Sequence, residues 1–295
     1  MSNKLQRIAE ETLAAIDDGK YTNSSGKTIP IKKLIDYSVK GSRLYKPDSI
    51  DELTKLNNQT RKLFPSPKIS ITSESSLEAA FRLANDHPCL LNFASAKNPG
   101  GGFLRGSAAQ EESIARSSGL YPTLIQHPEF YEENKRSQAK NIGLYLDYAI
   151  YSPEVPIFRN DAGEWLEAPY VVSVLTSPAP NRHVILNTDE DDAIVQSSLD
   201  DDIDAIEMKI TETLDKRMYQ VLSIMAAQGH RTIILGAWGC GIFGNDPLVV
   251  AELFRDNLQK LPFFDTVVFA IYDKPDSDIV RSFVQIFGND KVTQE

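Results

Sequence analysis

The sequence predicts an α/β protein, with a mixed central sheet between two layers of helices. Three observations carry that reading. Short apolar runs of strand length alternate with amphipathic helical patterns. Alternating, hairpin-like segments interrupt this order in the middle of the chain. Two junctions from strand to helix are rich in glycine.

Leu5, Ile8, Leu13 and Ile16 mark a short amphipathic helix that Gly19 stops. A polar, turn-rich stretch then leads to FPSPK at 64–68, which reads as a junction. Residues 1–65 are therefore taken as an N-terminal helical accessory segment packed on the core, and 66–295 as the main domain. Ser75 and Glu78 have capping-box spacing before a helix that ends near Asn85. CLLNFAS at 89–95 is a buried strand, and a helix begins near Gln110. IGLYLDYAIYS, VPIF and YVVSVLTS each suggest a strand, and the acidic stretch over 189–204 a solvated loop. From Ile203 a long helix carries Ile206, Ile210, Leu214, Met218, Val221 and Met225 on one face. TIIL, a glycine-rich loop, a helix from Pro247, the strand TVVFAIYD and a closing helix complete the chain.

The formal charge of −10 argues against a broad electrostatic grip on duplex nucleic acid or anionic lipid. A small anionic ligand is not excluded, because backbone N–H groups hold one without basic surface. Cys89 and Cys240 cannot form a disulfide framework, and the four histidines have no metal-ligand spacing. Neither a metal nor a cofactor is expected. With no signal-peptide pattern and no membrane-length apolar run, the chain reads as an intracellular, cytoplasmic monomer, or nuclear if its source is eukaryotic.

NPGGGFLRGSAAQEES at 98–113 places Gly100, Gly101 and Gly102 seven residues before Gln110, Glu111 and Glu112. Three glycines weaken helix and strand alike and suit a close approach of backbone to something else. Gly236, Gly239, Gly241 and Gly244 punctuate the second loop. Ligands of open α/β sheets bind beyond the carboxyl ends of strands, so the two loops could clamp a diphosphate. Gly239-Cys240-Gly241-Ile242-Phe243-Gly244 also fits a dinucleotide fingerprint. Too few residues follow it for the remaining strands of such a domain, and no acid ends the next strand at the right distance. A dehydrogenase is rejected.

GGG, seven residues, then QEE resembles the signature of poly(ADP-ribose) glycohydrolases, whose catalytic domain is a macro domain. NFASAKNPGGGF together with GAWGCGIFGND resembles the microbial branch of that family. The resemblance runs from about residue 66 to near the end, and the N-terminal region resembles that branch's accessory segment. It implies hydrolysis of ribose–ribose bonds in poly(ADP-ribose), with ADP-ribose held between the first loop (Gly100–Gly102) and the second (Gly239, Cys240, Gly241, Ile242, Phe243, Gly244). It also implies Glu112 as the catalytic acid, Glu111 as the glutamate that contacts ribose, Gln110 as their support, and Phe243 packed on the distal ribose. Vertebrate-type members have Asp-Phe-Ala-Asn where this chain has Asn92-Phe93-Ala94-Ser95, with one extra residue before the glycines, so Ser95 and Asn98 both remain candidates for a ribose contact. The Asn before Trp-Gly-Cys-Gly in those members is Ala237 here.

Adjacent residues at a helix start project about 100° apart, so Glu111 and Glu112 cannot face each other across one bond. A single glutamate that protonates the leaving oxygen and then activates water suits this spacing, and its proton affinity should be raised by its neighbour. Two first-turn acids also complement a helix dipole, the plain structural alternative. Cys240 lacks the His or Asp pattern of an activated nucleophile, and Tyr272 fits either adenine stacking or rim packing. Two rival functions remain open: hydrolysis of mono-ADP-ribose from protein side chains such as arginine, and non-catalytic reading of ADP-ribose.

Overall fold

The structure is a computed structural model that describes residues 2–49, 53, 63–64, 66–138, 141–187, 203–288 and 292–293. Its centre is an eight-stranded mixed sheet. In spatial order the strands are β10 (Val292–Thr293), β4 (Lys68–Thr72), β9 (Thr266–Ala270), β8 (Thr232–Leu235), β5 (Cys89–Phe93), β7 (Trp165–Ser177), β6 (Ala149–Arg159) and β3 (Arg43–Tyr45). From β10 to β7 all neighbours are parallel, whereas β6 is antiparallel to β7 and β3 to β6. A separate hairpin joins β1 (Lys20–Thr22) to β2 (Thr28–Pro30).

The helices, in chain order, are α1 (Ser2–Asp18), α2 (Lys32–Gly41), α3 (Ser76–Arg82), α4 (Gln110–Ser117), α5 (Tyr121–Leu124), α6 (Pro128–Ser137), α7 (Arg182–Leu186), α8 (Ile203–Ala227), α9 (Pro247–Lys260) and α10 (Asp278–Phe287). Successive residues of a strand point to opposite faces. Leu90, Val174, Ile234 and Val268 accordingly pack with Leu77, Ile114, Leu124 and Phe130 from α3 to α6. Their chain neighbours Leu91, Leu175, Ile233 and Val267 pack on the other side with Leu214, Met218, Phe254 and Phe283 from α8 to α10. Strands covered on both faces carry unbroken apolar runs, and the three-layer sandwich follows.

The capping box at Ser75 and Glu78 forms in both directions. The long helix from Ile203 buries Ile210, Leu214, Met218, Val221 and Met225. Three expectations need correction. The stretch after Gly19 is not merely turns: it holds the β1–β2 hairpin, α2 and the edge strand β3, elements too short for periodicity to announce. IGLYLDYAIYS becomes strand only from Ala149, and AIYS and VPIF are one strand. Pro153 and Pro156 do not break it, because a register shift between Ser152 and Val155, with Glu154 at φ 44°, absorbs the irregularity. Helices α5 and α6, each with Pro in its first turn, went unpredicted. Residues 188–202, with most of the acidic stretch, lie outside the described residues. No helix among the described residues is long and apolar enough to cross a membrane.

Candidate active site

Strands β5 and β8 are parallel neighbours, paired at Cys89↔Ile233 and Leu90↔Ile234. Motifs more than 100 residues apart in sequence therefore leave the sheet side by side, from the same carboxyl edge. The packing there is close. A Cβ on Gly236, just after β8, would lie 2.9 Å from the Phe93 ring and 2.7 Å from the Ala270 carbonyl oxygen.

Helix α4 brings both glutamates to this edge, and Gln110 fastens its start to β5. The Gln110 amide accepts from the Phe93 N–H at 2.8 Å and donates to the Leu91 carbonyl at 2.8 Å and the Ser76 hydroxyl at 3.0 Å. Glu111 turns inward and is 2% exposed. Its carboxyl accepts from the Ser95 N–H at 2.7 Å and the Asn92 amide at 3.3 Å. Glu112, half-buried, turns to the glycine loop and accepts from the Gly102 N–H at 2.8 Å.

Burial acts on Glu111 in a way the sequence did not suggest. Its carboxyl is pushed up to about 8. The Ser95 N–H opposes that rise, the Glu112 charge adds to it, and Asn92 and the Gly100 N–H oppose it in turn.

Gly101 sits at φ +61°, in the left-handed region, and a Cβ there would lie 2.3 Å from Glu112 Oε1 and 3.0 Å from Glu111 Oε2. The missing side chain thus lets the loop backbone pass directly against both carboxylates. The close approach that requires glycine at this position is to the protein's own acids. The Gly101 N–H donates to the Asn98 carbonyl at 3.0 Å, closing the turn. The Ser95 hydroxyl accepts from the N–H groups of Lys97 at 3.3 Å and Asn98 at 3.2 Å, which shapes the same turn.

The second loop is anchored from behind. Fully buried Trp238 donates its indole N–H to the Ser177 carbonyl at 3.3 Å, and the Asn245 amide donates to Pro180 at 2.8 Å and Gly239 at 3.1 Å. Gly239, at φ +77°, would place a Cβ 2.3 Å from that Asn245 amide. Gly241 and Ile242 face solvent; a Cβ on Gly241 meets nothing within 4 Å, and Ile242 is 81% exposed. Burial pushes the Cys240 thiol up, which disfavours a thiolate. Asp246 caps α9 by accepting from the N–H groups of Leu248 and Val249.

Phe243 lies beside Tyr145, with ring centroids 6.3 Å apart. Tyr145 is held at φ 59° while fully buried Arg217 donates to the Leu144 and Tyr145 carbonyls at 3.0 and 3.3 Å and to Asp147 at 2.8 Å. Sequence reasoning missed Tyr145, since no pattern signals a positive φ at tyrosine. Asn92 was legible: a polar residue inside the apolar run CLLNF needs a buried partner. Tyr272, 83% exposed, stands beyond β9 on the same edge. Two concavities of about 410 Å³ lie elsewhere, one beside Asp215 and Lys260, the other beside Tyr21 and Trp165; neither holds the paired glutamates.

The family profile for the microbial-type PARG catalytic domain matches residues 9–160. The crystal structure of poly(ADP-ribose) glycohydrolase from Thermomonospora curvata superposes with a TM-score of 0.84 at 41% identity, over 97% of this chain and 100% of that one. The chain belongs to the microbial-type poly(ADP-ribose) glycohydrolase family. The Thermomonospora protein bound to the inhibitor ADP-HPD gives a TM-score of 0.80 at 42% identity, over 96% and 99% of the two chains. The Deinococcus radiodurans glycohydrolase in complex with ADP-ribose gives 0.74 at 36%, over 86% and 96%. Among curated proteins none matches. The mixed sheet between helical layers is the macro-domain-like fold of these glycohydrolases. The family profile begins inside α1, and β3 is an edge strand of the main sheet.

Proposed function

We propose that the protein hydrolyses the ribose–ribose glycosidic bonds of poly(ADP-ribose) and releases ADP-ribose. The observation that carries this reading is that the two glycine loops leave the sheet side by side at one edge, with the carboxyls of Glu111 and Glu112 packed against the first of them at Gly101.

In this reading Glu112 protonates the leaving ribose oxygen as the glycosidic bond breaks. It then takes a proton from the water that attacks the anomeric carbon, which restores the acid. The Gly102 N–H fixes one oxygen of its carboxyl. Glu111, carrying a proton at neutral pH, orients a ribose hydroxyl beside the first loop. The N–H groups of Gly101 and Gly102 are engaged within the protein, so the first loop chiefly positions the acids. The diphosphate falls to the exposed second loop at Gly241, Ile242 and Phe243, with the Phe243 ring on the distal ribose. Ser95 and Asn98 shape the wall beside it. Residues 1–65 act as the accessory segment of a domain that occupies 66–295, and the enzyme works as a cytoplasmic monomer.

The test is incubation with poly- and mono-ADP-ribosylated protein, with the released product identified by chromatography. Free ADP-ribose from the polymer is the expected result. Release only from mono-ADP-ribosylated protein, or binding without release, would overturn the proposal.

A further inference from the structure

We infer that Arg116 is the positioning residue of the Glu112 carboxyl, an inference that rests on the general acid role proposed above. Arg116 lies one helical turn after Glu112 on α4, on the same face, and is buried, 6% exposed. A buried guanidinium is costly unless it is bonded, so its partners are informative. Its Nη1 donates to the carbonyl oxygen of Ser107. The Ser107 N–H donates to the Gly102 carbonyl at 3.2 Å, and the Gly102 N–H donates to Glu112 Oε1 at 2.8 Å. Glu112 and Arg116 are joined by one turn of helix. The circuit is therefore closed: helix, guanidinium, Ser107, Gly102, carboxylate, helix.

Three details show that the circuit is tightly built. The Gly102 carbonyl also accepts from the Arg105 N–H at 2.9 Å, so the 102–103 peptide, joined through the Gly102 Cα to the one whose N–H meets Glu112, is fixed by two bonds. A Cβ on Gly102 would lie 2.3 Å from Ser107 Oγ, so loop and serine are in direct contact. The Arg116 carbonyl accepts from the hydroxyl of fully buried Thr12 at 2.6 Å, which ties α4 to α1. Arg116 also lies within electrostatic reach of Glu112 on its own helix and of Asp161 in the turn between β6 and β7. Asp161 in turn accepts from the hydroxyls of Ser113 at 3.0 Å and Ser75 at 2.5 Å.

The role of Arg116 is to hold the 102–107 segment so that the Gly102 N–H points at the reacting carboxyl. A planar guanidinium suits this task better than an ammonium, because its donors have fixed directions. Displacing a reacting group by about 1 Å costs up to about 10²-fold in rate. Substrate contacts elsewhere are untouched, so the loss should appear in turnover and not in affinity.

The experiment compares wild type, Glu112→Gln, Arg116→Gln, Arg116→Lys and the Glu112→Gln/Arg116→Gln double variant. It measures single-turnover hydrolysis of poly(ADP-ribose) and calorimetric affinity for ADP-ribose. Arg116→Gln should lose about 10- to 100-fold in rate with affinity retained, and Arg116→Lys should lose less. In the Glu112→Gln background the Arg116 substitution should cost nothing further, since there is no acid left to position. An inactive Glu112→Gln beside an unimpaired Arg116→Gln would overturn the positioning role alone. An equal loss from Arg116→Gln in both backgrounds, or a parallel fall of rate and affinity, would overturn it too. If Arg116→Gln does not fold, Arg116→Lys decides, and a wild-type rate there rejects the role. Wild-type turnover in Glu112→Gln would instead reject the acid assignment beneath it.

Discussion

Replacing Glu111 by Gln should change how the stability of this protein depends on pH. Burial raises the Glu111 carboxyl from 4.5 to about 8, so between those values the folded state keeps a proton that the unfolded chain has released. A state that binds more protons is favoured by acid. The stability linked to this group is therefore complete below 4.5 and is lost as pH rises through the window to about 8. Each pH unit within it is worth about 1.4 kcal/mol, so the full window amounts to about 5 kcal/mol. Glutamine mimics the neutral acid and cannot titrate. Burial also lowers His127, which acts with the opposite sign below its ordinary value of 6.5, but wild type and variant share that residue. The assay is urea unfolding of both proteins from pH 5 to pH 9, read as a difference. The advantage of Glu111→Gln should grow by about 1.4 kcal/mol per unit and level off near pH 8. A constant difference across the range would refute the buried-proton reasoning.

Glu112→Gln should lower single-turnover hydrolysis by at least about 10²–10⁴-fold and leave ADP-ribose affinity nearly unchanged, as calorimetry would measure. The two glycine loops should respond differently to valine. Gly241→Val enters open space at an ordinary φ, so it should keep its melting temperature and lose ADP-ribose binding. Gly101→Val forces a Cβ onto Glu112 at φ +61° and should destabilise the fold itself, seen as a lower melting temperature without ligand. Asp147→Ala strips the fully buried Arg217 of its carboxylate and should cost about 3–5 kcal/mol in chemical denaturation.

The sequence alone determined the alternation of elements, because strands buried on both faces read as apolar runs and α8 shows its stripe at helical spacing. It also determined both glycine loops, the Ser75–Glu78 cap and the acid pair, since each is a local pattern whose chemistry depends on neighbours in the chain. The continuity of strand β6 through its prolines, the hairpin and α2 escaped it. Their limits depend on partners in the sheet and on a bulge, not on any repeat within the segment. Only the tertiary structure decided that β5 and β8 are neighbours, which brings the two motifs to one sheet edge. It also showed burial raising the proton affinity of Glu111. Adjacent residues on a helix differ by about 100° in direction, and here that rotation sends one carboxyl into the core beside Asn92 and the other to Gly102. The Arg116 circuit was likewise invisible in sequence, because two of its links are backbone N–H groups whose directions exist only once the loop has folded.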